Sequence, residues 1–174
     1  VPTGNTMFDA CLAHGRFPNP VRKFCTAELK VKPVIEQVYE PIWASGKEVI
    51  SWQGVRRAES KRRSTALEYE EMPEGYDVYR PLVDWTARDV FDMHDKHSVE
   101  PNPLYKLGMG RVGCMPCIHA NKGEVYEIAR RFPEMIGKIR DWEEKISKVS
   151  TRGHATFFEN PIDEHVEWSM TSRG

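Results

Sequence analysis

The chain has 174 residues, 40% of them hydrophobic and 29% charged, with a net charge of −1. This is enough for one domain with its own core and too little for two large ones, and the composition is that of an ordinary globular protein rather than a disordered chain. No run approaches the roughly 18 apolar residues of a membrane span, the charge balance excludes wholesale electrostatic coating of nucleic acid, and four cysteines are too sparse for a disulfide-stapled secreted scaffold, so a reducing, cytoplasmic setting is expected.

The chain opens on "VPTGNTMFDA", with no initiator methionine, signal-peptide pattern or strand-like apolar run, and is expected to be part of a longer polypeptide. "CLAHGRFPNPVRKFC", residues 11–25, is rich in glycine, proline and basic residues and reads as a loop that carries two cysteines. Val34, Ile35, Val38, Ile42 and Trp43 then recur at helical spacing, with Pro33 suited to a first turn and Gly46 to the end of the helix. Val49 to Trp52 is a short β-rich run that breaks at Gly54, and "YDVYRPLVDW", residues 76–85, is a second strand candidate.

Thr86, with aspartate three residues later, predicts the N-cap of a helix carrying Val90, Phe91 and Met93. From Asn121, Val125, Ile128, Phe132, Met135, Ile139, Trp142 and Ile146 repeat every three or four residues, and Pro133 is expected to divide them into two helices. Beyond Ser150 the period is lost, with "HATFFEN", residues 154–160, as a possible short strand. Strands alternating with helices indicate an α/β architecture. The expected division is 1–120, carrying the motifs and the cysteine loops, and 121–174, a helical extension.

Two features carry chemistry. "GVRRAESKRR" sets Arg56, Arg57, Lys61, Arg62 and Arg63 against one acid, Glu59, directly after a predicted strand. In open α/β sheets ligands bind beyond the carboxyl ends of strands, and arginine's planar fork suits phosphate or sulfate. Gly54 would let the backbone pass close to such an anion. The plainer alternatives are a solvated basic loop and a nucleic-acid contact. The second feature is the set Cys11, Cys25, Cys114 and Cys117. Four thiols suit a [4Fe-4S] cluster or a structural zinc ion, with His14 or His119 as substitute zinc ligands. A reactive dithiol at Cys114 and Cys117 is disfavoured, because Pro116 and "IHANKGE" put the next helix start near Asn121 rather than at the first cysteine. Trp43, Trp52, Trp142, Tyr39 and Phe132 are read as core, Glu143 and Glu144 as a solvated helix face, and Asp84 and Asp89 as capping or turn residues, with orientation of the arginines as their alternative role.

Four stretches in order resemble the phosphoadenosine phosphosulfate (PAPS) reductase family of adenine nucleotide α-hydrolase-like folds: "RKFCTAELKVKP", "WQGVRRAESKRR", "YRPLVDWTARDVFDM" and "NPLYKLGMGRVGCMPC". The likeness covers roughly residues 11–120. It implies part of a Rossmann-like sheet followed by C-terminal helices, and an adenine nucleotide partner: adenylyl sulfate, PAPS or ATP. Arg56, Arg57 and Arg63 would contact its phosphate or sulfate, Lys30 would lie near the same anion and Gly54 would allow close approach. In the cluster-bearing branch of the family, two cysteines ahead of the basic loop and a CxxC behind it bind [4Fe-4S]. The C-x13-C…C-x2-C spacing here is similar to phage and DNA-phosphorothioation relatives. The family's Ser-Gly-Gly-x-Asp-Ser nucleotide loop is not in this sequence and is expected upstream or on a partner chain, and no cysteine follows Cys117 to serve as the tail nucleophile of the assimilatory reductases. The resemblance therefore leaves three readings: a sulfonucleotide reductase-like portion, an ATP-pyrophosphatase-like protein for nucleic-acid sulfur modification, and a zinc-stapled interaction module.

Overall fold

The computed structural model describes residues 3–157. In chain order it has helix α1 (Met7–His14), then a helical run from Phe24 to Ala44 in which α2 (Phe24–Thr26), α3 (Lys32–Val34) and α4 (Glu40–Ala44) are separated by π-helical turns at Ala27–Val31 and Ile35–Tyr39. Strand β1 (Ile50–Trp52) follows, then two 3₁₀ turns (Arg57–Glu59 and Lys61–Arg63), β2 (Tyr69–Glu71), β3 (Asp77–Tyr79), α5 (Ala87–Lys96), α6 (Pro103–Lys106), α7 (Lys122–Arg131) and α8 (Pro133–Val149). The expected mixed α/β class is found, as a three-stranded sheet with helices.

The chain divides into two compact units that do not follow chain order: Lys32–Val112, and residues 3–31 with 113–157. In the first unit the sheet order is β1-β3-β2, with β1 parallel and β2 antiparallel to the central β3. Ser51, Val78 and Glu70 are in register on one face, where Val78 is fully buried. Ile50, Trp52, Tyr79 and Tyr69 share the other face, where the rings of Trp52 and Tyr79 meet edge to face at 5.1 Å. Trp52 is 72% exposed, so its assignment to the core is wrong: the period of two turns it to the open side of the sheet. Strand β2 was not anticipated. Its "YEE" carries no apolar alternation, and its place is set by pairing with β3. The second strand candidate shrinks to Asp77–Tyr79, because Pro81 removes a ladder donor and the chain turns there.

In the second unit Ala10, Cys11, Phe17, Phe24, Ile139, Ile146, Ala155 and Phe157 form the core, with α8 packed against both α1 and α7. The loop expected over 11–25 is confined to 15–23. Thr6 and Asp9 form a reciprocal capping box that starts α1, and α1 runs through Cys11 to His14. Gly15 ends it at φ +59, and a side chain there would meet the Val149 carbonyl oxygen at 3.0 Å. Pro33 lies inside the helical run rather than in its first turn. A proline cannot donate to the carbonyl four residues back, and the flanking π turns accommodate the missing bond. Gly46, at φ +77, ends the run as expected.

The capping box of Thr86 and Asp89 starts α5, and that of Asn121 and Glu124 starts α7. Pro133 opens α8 as anticipated. Glu143 is not solvated as expected: its carboxylate accepts the Phe157 N–H at 2.6 Å, and burial pushes its pKa up. Residues 154–157 form no strand, and the remainder of that candidate, 158–160, lies outside the described residues. No helix among the described residues is long and apolar enough to cross a membrane.

Ile146 is fully buried at the centre of the second unit. Ile146→Ala is expected to lower stability by about 2–5 kcal/mol, the cost of removing a buried aliphatic side chain, in a denaturant titration. A loss below about 0.5 kcal/mol, as for a typical surface substitution, would contradict this packing.

Candidate functional site

The basic loop leaves the end of β1. Gln53 continues the pairing by donating its N–H to the Tyr79 carbonyl at 2.9 Å, and the chain then turns through Gly54. A side chain at Gly54 would meet nothing within 4 Å, so the fold itself does not require glycine, and the space beside the backbone is open.

Arg57 anchors the loop. Its backbone N–H donates to the Val83 carbonyl at 2.8 Å, its Nε to the Ala66 carbonyl at 2.8 Å, and one terminal nitrogen to the Asp84 carboxylate. Asp84 therefore orients an arginine rather than serving only a turn, whereas Asp89 is committed to capping α5. Thr86 holds the Asp89 pKa down through its backbone N–H and hydroxyl, and Arg56 adds a smaller pull in the same direction.

Arg56 reaches the Trp85 carbonyl at 3.5 Å and sets its Nε 3.5 Å from Glu59 Oε1. The other oxygen of Glu59 accepts from Arg63. The sequence marks Glu59 as the one acid of the basic run but not as a partner of these two arginines, although its spacing is a signal, since opposite charges three and four residues apart meet on a helical turn. A guanidinium has five N–H donors, so each of these arginines keeps donors beyond its contacts in the fold. The result is a loop after a strand in which Glu59 pairs Arg56 with Arg63 while Arg57 is fixed separately, and each guanidinium keeps N–H donors of the kind that suit an oxyanion.

All four cysteines and Lys30 lie in the second unit, and Arg56, Arg57, Arg63 and Gly54 in the first. Cys11 is completely buried within α1, and its thiol is pushed up to about 12, first by burial and then by the neighbouring Cys25. Cys25 sits in the first turn of α2 and is half-buried. Cys114 is exposed, and its Sγ accepts a hydrogen bond from Lys30 Nζ at 3.2 Å. Cys117 is half-buried, with the His119 backbone N–H 3.5 Å from its sulfur. No helix begins at Cys114; the next starts after Asn121, as expected.

His14, considered as a substitute ligand, instead bonds Glu28 at 2.6 Å through Nε2 and stacks on Phe24 with ring centroids 4.0 Å apart. Among the described residues no three cysteine, histidine, aspartate or glutamate side chains gather as a metal-holding group. The donor set matches a thiolate-bound centre in chemistry and lies in one unit, but its present arrangement is not a closed ligand shell.

The buried thiol yields a prediction. In metal-free protein, iodoacetamide at pH 8 should label Cys114 first and leave Cys11 protected until the chain unfolds. Equal labelling rates by mass spectrometry would contradict the burial of Cys11. Its native pKa is raised above the ordinary 9.0, so its contribution to stability is complete below pH 9 and is lost as pH rises from there towards about 12.

A family model described as the phosphoadenosine phosphosulfate reductase domain matches residues 14–120. The chain is 41% identical, over 99% of its length, to an uncharacterised 37.8 kDa protein from the gpa 5′ region of Escherichia phage 186, and spans 58% of that relative. Adenosine 5′-phosphosulfate reductase of Burkholderia cepacia is 35% identical over 58% of this chain and 38% of its own length. The protein MJ0066 of Methanocaldococcus jannaschii, also uncharacterised, is 27% identical over 71% of the chain and 26% of that relative.

Proposed function

The chain belongs to the phosphoadenosine phosphosulfate reductase domain family, and from that premise we propose that it is the oxyanion-binding part of a sulfonucleotide enzyme. The observation that carries this reading is the arginine-rich loop after β1, where Arg56, Arg57 and Arg63 are each held by acceptors in the fold and each keep N–H donors. Two parallel N–H donors from a guanidinium match two oxygens of a sulfate or phosphate group. Donors set in place before the ligand arrives stabilise charge on that group without reorganising during the reaction. The open space beside Gly54 gives the anion room against the backbone. The likeness to an adenosine 5′-phosphosulfate reductase supports an adenine sulfonucleotide as the ligand, with the three arginines on its sulfate or phosphate.

Cys11, Cys25, Cys114 and Cys117 are proposed to hold a [4Fe-4S] cluster, with zinc as the alternative occupant. The support is the thiol-only donor set in one unit. A cluster bound there would supply a charged, redox-capable centre. Lys30, in contact with Cys114 Sγ, would set a positive charge beside one of its ligands. Four free thiols also suit a reducing compartment, and the cytoplasm is the proposed location.

Two measurements test this. Arg56→Ala combined with Arg63→Ala should weaken adenylyl sulfate binding by about 100-fold or more, from the loss of two charged hydrogen-bonding groups. The circular dichroism spectrum should be unchanged. Undiminished affinity in calorimetry would remove the oxyanion assignment. Anaerobic purification should return about four irons and four acid-labile sulfides per chain, as a [4Fe-4S] centre requires. About one zinc and no iron would instead make the cysteines a structural staple.

A further inference from the structure

We infer that Glu59 is the positioning residue of the oxyanion site, holding Arg56 and Arg63 as a pair for one anionic group. This rests on the reading of the arginine cluster above. Each oxygen of the Glu59 carboxylate serves a different arginine: Oε1 lies 3.5 Å from Arg56 Nε, and Oε2 accepts from Arg63. Two guanidiniums brought side by side repel each other, and a carboxylate between them offsets that repulsion.

The backbone builds this bridge. Glu59 ends the first 3₁₀ turn and Arg63 the second, with Ser60 between them extended at φ −169 and ψ 156. Glu59 therefore lies three residues after Arg56 and four before Arg63, and reaches both.

An exposed ion pair at such a spacing ordinarily contributes little. The pair Glu144–Lys148 is of that kind, with side chains 70% and 68% exposed. Glu59 differs, because its side chain is 24% exposed and that of Arg56 only 18%. Arg63, half exposed at 50%, presents its remaining donors to solvent. Arg57 needs no such help, since Ala66 and Asp84 fix it separately. Glu59 thus acts on the ligand through the two arginines and does not itself contact the anion.

The test measures affinity for inorganic sulfate and for adenylyl sulfate by calorimetry, in the unsubstituted chain and in Glu59→Ala, Glu59→Gln and Glu59→Asp, each with and without Arg63→Ala. Glu59→Ala is expected to weaken both ligands about tenfold, the scale of one charge-assisted hydrogen bond. Glu59→Gln keeps the length but removes the charge and turns one of the two acceptors into an N–H donor, and should weaken both ligands about as much as Glu59→Ala. With Arg63→Ala already present, Glu59→Ala should cost clearly less than it does alone, because the part of its effect that runs through Arg63 is already lost and only its hold on Arg56 remains. Such coupling in affinity would not arise from a general loss of stability, which a melting curve of each variant reads separately. Glu59→Asp keeps the charge but shortens the reach, and should show the same weakening if Glu59→Ala fails to fold.

Tighter binding in both Glu59→Ala and Glu59→Gln would mean that the carboxylate competes with the anion, and would overturn the inference, as would unchanged affinity. Failure of the unsubstituted chain to bind either anion would remove the oxyanion site together with this role. Sulfate binding with the expected Glu59 dependence, but no tighter binding of adenylyl sulfate, would defeat the nucleotide reading and leave the role of Glu59 standing.

Discussion

Arg57 ties together three segments that the sequence keeps apart. Its backbone N–H bonds Val83, its Nε bonds Ala66 and its guanidinium pairs with Asp84. The loop after β1, the approach to β2 and the turn after β3 are thereby held by one residue. Arg80 does the same one step away, donating its backbone N–H to the Glu68 carbonyl at 2.7 Å and its side chain to the Leu67 carbonyl at 2.9 Å, and pairing with Glu70 at 2.7 Å. Arg80 is only 9% exposed, and a charge this buried is tolerable because its donors are satisfied. Within "GVRRAESKRR" one arginine is thus chiefly a strut, and a carboxylate pairs two others. A basic run that composition presents as loose charge is, in the fold, an ordered cluster.

The second unit is organised by a different constraint, the burial of one face of α1 against α8. Cys11 lies on that face and is fully enclosed, whereas Cys114 stands in solvent against Lys30. Four residues of the same type therefore differ in chemical character through burial and contact alone. A thiol without solvent resists ionisation, because the thiolate would lose its hydration. Any ion held by all four cysteines would need Cys11 as a thiolate, and the ion's own charge would have to supply that stabilisation.

Local signals in the sequence were legible where the physics is local. The capping box of Thr86, the division at Pro133 and the end of the helix at Gly46 each depend on a few adjacent residues, and each appears as anticipated. The Thr6 and Asp9 box was equally present, yet the run of glycine and proline beyond it drew the segment into a loop assignment. Strand β2 and the exposure of Trp52 depend on pairing and on which face of the sheet is covered, and no window of neighbouring residues records either. Glu59 lies between these cases, since its spacing was visible but its two partners were not.

The sequence by itself determined the residue types and their order: an arginine-rich loop behind a strand, two cysteines before it and two after it, and four motifs in the family's succession. These follow from composition and short-range spacing, which survive without a fold. Only the tertiary structure decided which arginine is a strut, which carboxylate bridges two others, which cysteine is sealed from water, and that residues 3–31 belong with 113–157 rather than with their neighbours in the chain. Each of those depends on contacts between residues far apart in sequence, and on the solvent those contacts exclude.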